Sequence, residues 1–142
     1  MSAAILNYNK GTKYLNSKTW EKADRYFKLA QAAGLESPEL YLNWGNVKKA
    51  LGDYKTAAGL YERCRELKPD YKLVYNNLGL IYHGSGQDDR AMEIFNYGAT
   101  IDAGYKDLKW NRSLAMLKRS STTGEGFEEA WKEYNIRFFK ES

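Results

Sequence analysis

The chain has 142 residues, of which 43% are hydrophobic and 15% aromatic, and its formal net charge is +4. This length accommodates one domain, and a mild charge without blocks of like sign argues against a nucleic-acid partner. The lone Cys64 excludes an internal disulfide and suits a reducing compartment. The first residues do not resemble a signal peptide and no apolar run has membrane-spanning length, so we expect a cytoplasmic protein without a membrane partner.

The predicted elements are helical hairpins that recur at a constant interval. Consecutive members of one asparagine series are 34 residues apart: Asn9, Asn43, Asn77 and Asn111. Other residue types keep the same period: Gly11, Gly45 and Gly79; Ala23, Ala57 and Ala91; Phe27, Tyr61 and Phe95. A fixed repeat of this length indicates stacked supersecondary units rather than one globular fold. The units span residues 4–37, 38–71, 72–105 and 106–142.

In each unit, two stretches of helical apolar period are separated by a short polar turn. The turns are predicted at residues 16–19, 52–53 and 84–87. Ser37 and Pro38 open the second unit as a helix cap and a first helical residue, and Asp53 caps its second helix. Small residues at Gly45 and Ala57 allow these two helices to approach closely, and the aromatic residue four positions after Ala57 fills the space beside that contact.

The fourth unit begins in register at Trp110, but its second helix is late. Ala130 and Tyr134 follow five residues after their expected positions, so we predict an insertion at about 118–126. That segment is rich in Ser, Thr and Gly and is predicted to be a mobile loop. The last helix carries aromatic residues at helical spacing, which either fold back on their own hairpin or are covered by a partner or a second copy. The residues that would form this surface are Trp131, Phe138 and Phe139.

The third unit reads Y-x-x-L-G-x-x-Y from Tyr75 and A-x-x-x-F from Ala91, and the first two units keep parts of the same pattern. These motifs resemble the tetratricopeptide repeat. The resemblance implies an all-α fold, a right-handed superhelix of about four helical hairpins that forms a single solenoid over residues 1–142. It also implies a non-catalytic protein-interaction module whose first helices line a concave groove.

The groove positions of that family would hold polar side chains here. They are Tyr8, Asn9, Asn43, Asn46, Lys49, Asn77, His83 and Asn111. The asparagine series resembles the asparagine ladder of O-GlcNAc transferase repeats, which implies that Asn9, Asn43, Asn77 and Asn111 grip the backbone of an extended peptide. A side-chain amide carries a donor and an acceptor, so it can pair with a peptide backbone. The alternative is that asparagine at this position is only repeat consensus.

Other functions known for tetratricopeptide repeats are either not predicted or kept as alternatives. The carboxylate clamp of chaperone adaptors is not predicted, because Tyr8, Thr12, Leu73 and Asn77 occupy positions where the clamp needs Lys, Asn and basic residues. Segments 110–114 and 126–137 resemble the terminal repeat of bacterial proteins that join such repeats to glycosyltransferases, which implies an accessory substrate-binding arm. A homodimer through the last helix is a further alternative. One His and one Cys cannot build a zinc site and the carboxylates are not clustered at ligand spacing, so we predict no metal site. The sequence also contains no catalytic constellation, and we predict a non-enzymatic protein without a cofactor.

Overall fold

The computed structural model describes residues 2–123 of the chain, with side chains up to Lys118. These described residues form helices and no strand, which confirms the predicted all-α helical repeat. The helices are α1 (Ala3–Asn16), α2 (Trp20–Ala32), α3 (Pro38–Ala50), α4 (Tyr54–Leu67), α5 (Lys72–Gly84), α6 (Asp88–Ile101) and α7 (Lys106–Thr123). They fall into two compact units, a first unit of Met1–Pro69 with α1–α4 and a second unit of Asp70–Ser142 with α5–α7.

The predicted turns within the first three hairpins are confirmed. Each turn contains one residue in the left-handed backbone region, at positions 34 residues apart: Lys18 (φ 58°), Gly52 (φ 82°) and Gly86 (φ 80°). Glycine adopts this conformation without a Cβ clash, whereas a lysine there costs roughly 1–2 kcal/mol. The first turn therefore has the same backbone form as the other two, at an energetic cost that they avoid.

The predicted caps of the second hairpin are also confirmed. Ser37 precedes α3, and its Oγ accepts a hydrogen bond from the Leu40 backbone N–H at 3.1 Å, with Pro38 as the first helical residue. The Asp53 Oδ1 accepts from the Thr56 backbone N–H at 3.2 Å. Hydrogen bonds from the side chain and backbone of Thr56 hold the pKa of Asp53 below its ordinary value, because they stabilise the ionised carboxylate.

A glycine of the first helix meets an aromatic ring of the second helix inside each of these hairpins. The three aromatic side chains are fully buried, as are the three alanines of the period. A Cβ added to Gly11 or Gly45 would lie 2.6 Å from ring carbons of the aromatic residue opposite, closer than atoms can pack. The pairs are Gly11–Phe27, Gly45–Tyr61 and Gly79–Phe95. The predicted close approach of the two helices is thus confirmed.

Polar contacts join the two hairpins of the first unit. Asp24 on α2 accepts a hydrogen bond from Trp44 Nε1 at 2.7 Å, and Lys48 Nζ lies 3.1 Å from the same Asp24 oxygen. The Tyr41 hydroxyl donates to Glu36 Oε1 at 2.5 Å. In this way Asp24 of the first hairpin and Glu36 of the following connection hold helix α3 of the second hairpin.

The structure departs from one expectation in the fourth unit. Helix α7 continues to Thr123, so residues 118–123 are helical instead of forming the start of a loop. Serine and threonine do not stop a helix that is already propagating, and the first glycine after Lys118 is Gly124. The rest of the predicted insertion lies outside the described residues, as do Trp131, Phe138 and Phe139.

Candidate functional site

The first unit carries five of the predicted groove residues, which we call the first amide face: Tyr8, Asn9, Asn43, Asn46 and Lys49. Tyr8 and Asn9 lie on α1, and the other three lie on α3 at helical spacing. The structure brings Tyr8 and Asn43 together, because Asn43 Nδ2 donates a hydrogen bond to Tyr8 Oη at 2.9 Å. Both side chains are half-buried, whereas Asn9 is exposed.

Asn46 and Lys49 have different surroundings from Asn43. Asn46 Oδ1 accepts a hydrogen bond from the hydroxyl of Tyr61, whose pKa is raised by burial. Asn46 therefore links α3 to α4 within one hairpin. Lys49 is half-buried, and this burial lowers its pKa because desolvation disfavours the charged ammonium.

The second unit has a comparable set, the second amide face, which consists of Asn76, Asn77 and His83 on α5 and Asn111 on α7. Asn111 Nδ2 donates a hydrogen bond to Asn76 Oδ1 at 2.8 Å. Asn76 is buried, and Asn77 and Asn111 are half-buried.

His83 lies beside the start of α6. Its Nδ1 is 3.4 Å from Asp88 Oδ1, and Lys118 Nζ is 3.5 Å from the same oxygen. The Lys118 ammonium also lies 3.5 Å from the His83 carbonyl oxygen. His83 thus contributes to a polar cluster that joins α5, α6 and α7 at the end of the second amide face.

The hydrogen bonds of the two amide faces join residues at the same spacing in the sequence. Asn43 and Asn111 each donate to a side chain 35 positions earlier, one helix hairpin away in the same unit. A carboxamide has two N–H groups and one oxygen acceptor, and each of these bonds uses a single N–H. Asn43 and Asn111 make no other hydrogen bond with the described side chains, up to Lys118, so one N–H and Oδ1 of each amide have no partner among them.

The sequence predicts Asn43 and Asn111 as site residues, and the structure adds how their side chains are held. The residue that anchors Asn111 is Asn76, which the period alone did not single out. A signal for it exists in the sequence, since Tyr8 and Asn76 are polar residues placed 35 positions before Asn43 and Asn111. Among residues 2–123, no three His, Cys, Asp or Glu side chains are grouped as metal ligands. Over the same residues, no helix combines the length and the apolar character needed to cross a bilayer.

Comparisons with known proteins agree with the repeat pattern. Residues 38–71 and 74–104 match the tetratricopeptide repeat family. The heat shock protein sti1 homolog of Schizosaccharomyces pombe is 32% identical over 120 residues, which are 82% of this chain and 20% of that protein. The chain spans a fifth or less of the curated relatives that it matches.

Two solved structures show the same fold. The crystal structure of MamA superposes with a TM-score of 0.86 at 22% identity and covers 97% of this chain and 78% of that one. YrrB, described as a TPR protein with an unusual peptide-binding site, superposes with a TM-score of 0.84 at 22% identity. The match to YrrB covers 95% of this chain and 69% of that one. At this level of identity, the two structures establish the fold alone.

Proposed function

We propose that this chain, which contains tetratricopeptide repeats, is a non-catalytic interaction module that binds extended peptide segments through its amide faces. Tetratricopeptide repeats mediate protein–protein interaction as a class. The peptide-binding site in the description of YrrB supports a ligand of the same kind here. The proposal that the amide faces bind the peptide rests on the anchoring of Asn43 by Tyr8 and of Asn111 by Asn76.

Anchoring matters because it restricts the amides before a ligand arrives. A free asparagine side chain loses rotamer freedom when it binds, and that loss weakens binding. Asn43 and Asn111 are already held by a neighbouring helix at 2.9 Å and 2.8 Å. Their remaining N–H and Oδ1 groups therefore bind a peptide with a smaller entropic cost than a freely rotating amide would pay.

The remaining groups fit a peptide backbone. An extended peptide presents N–H donors and C=O acceptors along its length, and one carboxamide can pair with one of each. The half-buried positions of Asn43 and Asn111 reduce competition from water and so strengthen these bonds. Recognition of this kind reads the backbone and tolerates many side-chain sequences.

The proposal is tested with a peptide selected from a random displayed library against the wild-type protein. Its affinity is then measured by fluorescence anisotropy for Asn43→Ala/Asn111→Ala and for the control Asn7→Ala/Asn96→Ala. The control changes one asparagine in each unit, outside both amide faces. The double variant removes the amide on whichever face the peptide uses, together with its N–H and Oδ1 hydrogen bonds. Binding should weaken about tenfold or more, since one hydrogen bond contributes roughly 0.5–1.5 kcal/mol. The control should stay within about twofold.

A second measurement addresses the consensus alternative, in which the asparagine bonds only stabilise the repeats. Methylating single backbone nitrogens of the selected peptide should weaken binding at some positions, whereas alanine substitution of most of its side chains should not. If the double asparagine variant melts earlier but keeps wild-type affinity, the bonds serve stability and the proposed peptide contact is wrong.

A further inference from the structure

The net charge of the protein is concentrated in its first hairpin. Residues 3–32 contain six Lys and Arg against two Asp and Glu, a net charge of +4, and the rest of the chain is neutral in balance. One of the two carboxylates, Asp24, already lies 3.1 Å from Lys48 of the next hairpin. Within residues 3–32, Glu21 is therefore the only other carboxylate that could offset the six cations.

These six cations differ from several other cations of the chain in having no carboxylate partner among the described side chains. Arg63, Arg65 and Lys72 form ion pairs with carboxylates at 2.7–3.4 Å. Among the side chains that the structure describes, up to Lys118, none of the Lys or Arg side chains of the first hairpin forms an ion pair. They are all exposed. The hairpin thus presents positive charge that the described side chains, up to Lys118, do not neutralise.

Two tyrosine rings contact three of these cations. The rings of Tyr14 on α1 and Tyr26 on α2 are stacked, with centroids 5.5 Å apart and an interplanar angle of 11°. Lys22 Nζ lies 5.4 Å from the Tyr14 centroid, and Lys10 Nζ and Arg25 Cζ lie 5.6 Å and 5.4 Å from the Tyr26 centroid. We call these five residues the basic tyrosine patch. Cation–π contacts hold the three cationic groups close together despite their mutual repulsion.

The basic tyrosine patch is separate from the first amide face. At 3.6 residues per turn, Lys10 and Tyr14 lie about 160° and 120° around α1 from Tyr8, and about 100° and 140° from Asn9. A ligand on the patch and a ligand on the amide face therefore use different sides of the same helix, and variants of one leave the other intact.

We propose that the basic tyrosine patch binds an acidic segment of a partner protein, one rich in Asp and Glu. Three clustered cations without carboxylate partners complement a run of carboxylates, and the Arg25 guanidinium suits bidentate pairing. A single-stranded nucleic acid fits less well, because such ligands stack their bases on open aromatic faces. Here each tyrosine ring already has the other ring and at least one cation against it. This inference does not depend on the amide faces.

The test uses the full chain and a fluorescein-labelled octaglutamate peptide at low and at physiological salt. The patch variant is Lys10→Glu/Lys22→Glu/Arg25→Glu, and the control is Lys55→Glu/Lys106→Glu/Lys109→Glu, which makes the same change in net charge at exposed sites elsewhere. We expect the wild type to bind, with an affinity that falls as salt rises. The affinity of the patch variant for octaglutamate should fall at least about tenfold, and that of the control less than about twofold.

Two further arms complete the test. The neutral variant Lys10→Gln/Lys22→Gln/Arg25→Gln replaces the charge-reversed variant if the latter does not fold. It should also weaken octaglutamate binding, because it removes the same three positive charges. A thymidine oligonucleotide of equal charge should bind more weakly than octaglutamate. The proposal is overturned if octaglutamate does not bind at low salt, if the control loses as much affinity as the patch variant, or if the oligonucleotide binds equally well or better.

Discussion

At the scale of single residues, the glycine of each first helix sets how closely the hairpin packs. Gly45 faces the ring of Tyr61, which is fully buried and whose hydroxyl donates to Asn46. Because that hydrogen bond and the surrounding core fix the ring, it cannot swing aside for a larger neighbour. The small residue is therefore required by packing, even though glycine lowers helix propensity by about 1 kcal/mol.

Gly59 provides a matched comparison for this contact. It lies inside α4, where an added Cβ would meet nothing within 4 Å. Gly59→Ala should stabilise the protein by about 0.5–1 kcal/mol through helix propensity. Gly45→Ala gains the same propensity but overpacks the hairpin, so its free energy of unfolding should fall below that of Gly59→Ala by about 1–3 kcal/mol. Urea denaturation followed by circular dichroism measures both values, and equal stabilities would refute the packing argument.

At the scale of helices and their connections, exposed carboxylates hold successive elements together. Glu36, between α2 and α3, accepts from the Tyr41 hydroxyl and lies 2.7 Å from Arg63 of α4. The hydrogen bond from Tyr41 lowers the pKa of Glu36 most, and the hydrogen bond from Arg63 lowers it further, because both stabilise the ionised carboxylate. After α6, Asp102 pairs with Lys72 at 3.0 Å, and its pKa is lowered by Lys72 and by the Gly104 backbone N–H.

A lowered folded-state pKa makes stability depend on pH in a defined direction. The stabilisation is fully present above the unfolded-state value, roughly pH 4, and is lost as the pH falls through the lower folded-state pKa. Glu36→Gln should therefore melt earlier than the wild type at pH 7, and the gap between them should close towards pH 3. Glu93→Gln, at an exposed site on α6, should match the wild type throughout. A gap for Glu36→Gln that persists unchanged at pH 3 would contradict this account.

At the scale of the whole molecule, the repeat period was enough to predict the first three hairpins. The glycines, alanines and aromatic residues that recur every 34 positions are the ones that pack the hairpin interior, so their spacing carries the fold. The loop expected at 118–123 was wrong, because Ser and Thr content alone does not end a helix. A helix ends where capping, glycine or proline offers its backbone an alternative.

The candidate site was less accessible to sequence reasoning. Asn43 and Asn111 were identified from their spacing, but their anchoring bonds depend on which rotamers face across neighbouring helices. The basic tyrosine patch was missed for a related reason. Its cations occur singly along the chain, and only the pairing of α1 with α2 brings Lys10 and Lys22 to the same pair of rings.

The burial of Cys64 has a practical consequence. This thiol is fully buried in α4, and burial raises its pKa to about 11, so it stays protonated at neutral pH. A thiol-reactive dye can then modify it only during transient opening of the second hairpin, and the labelling rate reports the population of opened molecules. Gly45→Ala lies in the same hairpin and should accelerate labelling about tenfold for each 1.4 kcal/mol that it removes. Labelling of the native wild type as fast as a free thiol would show that α4 does not protect the sulfur. The single cysteine is thereby a built-in labelling probe of local unfolding, and no engineered cysteine is required.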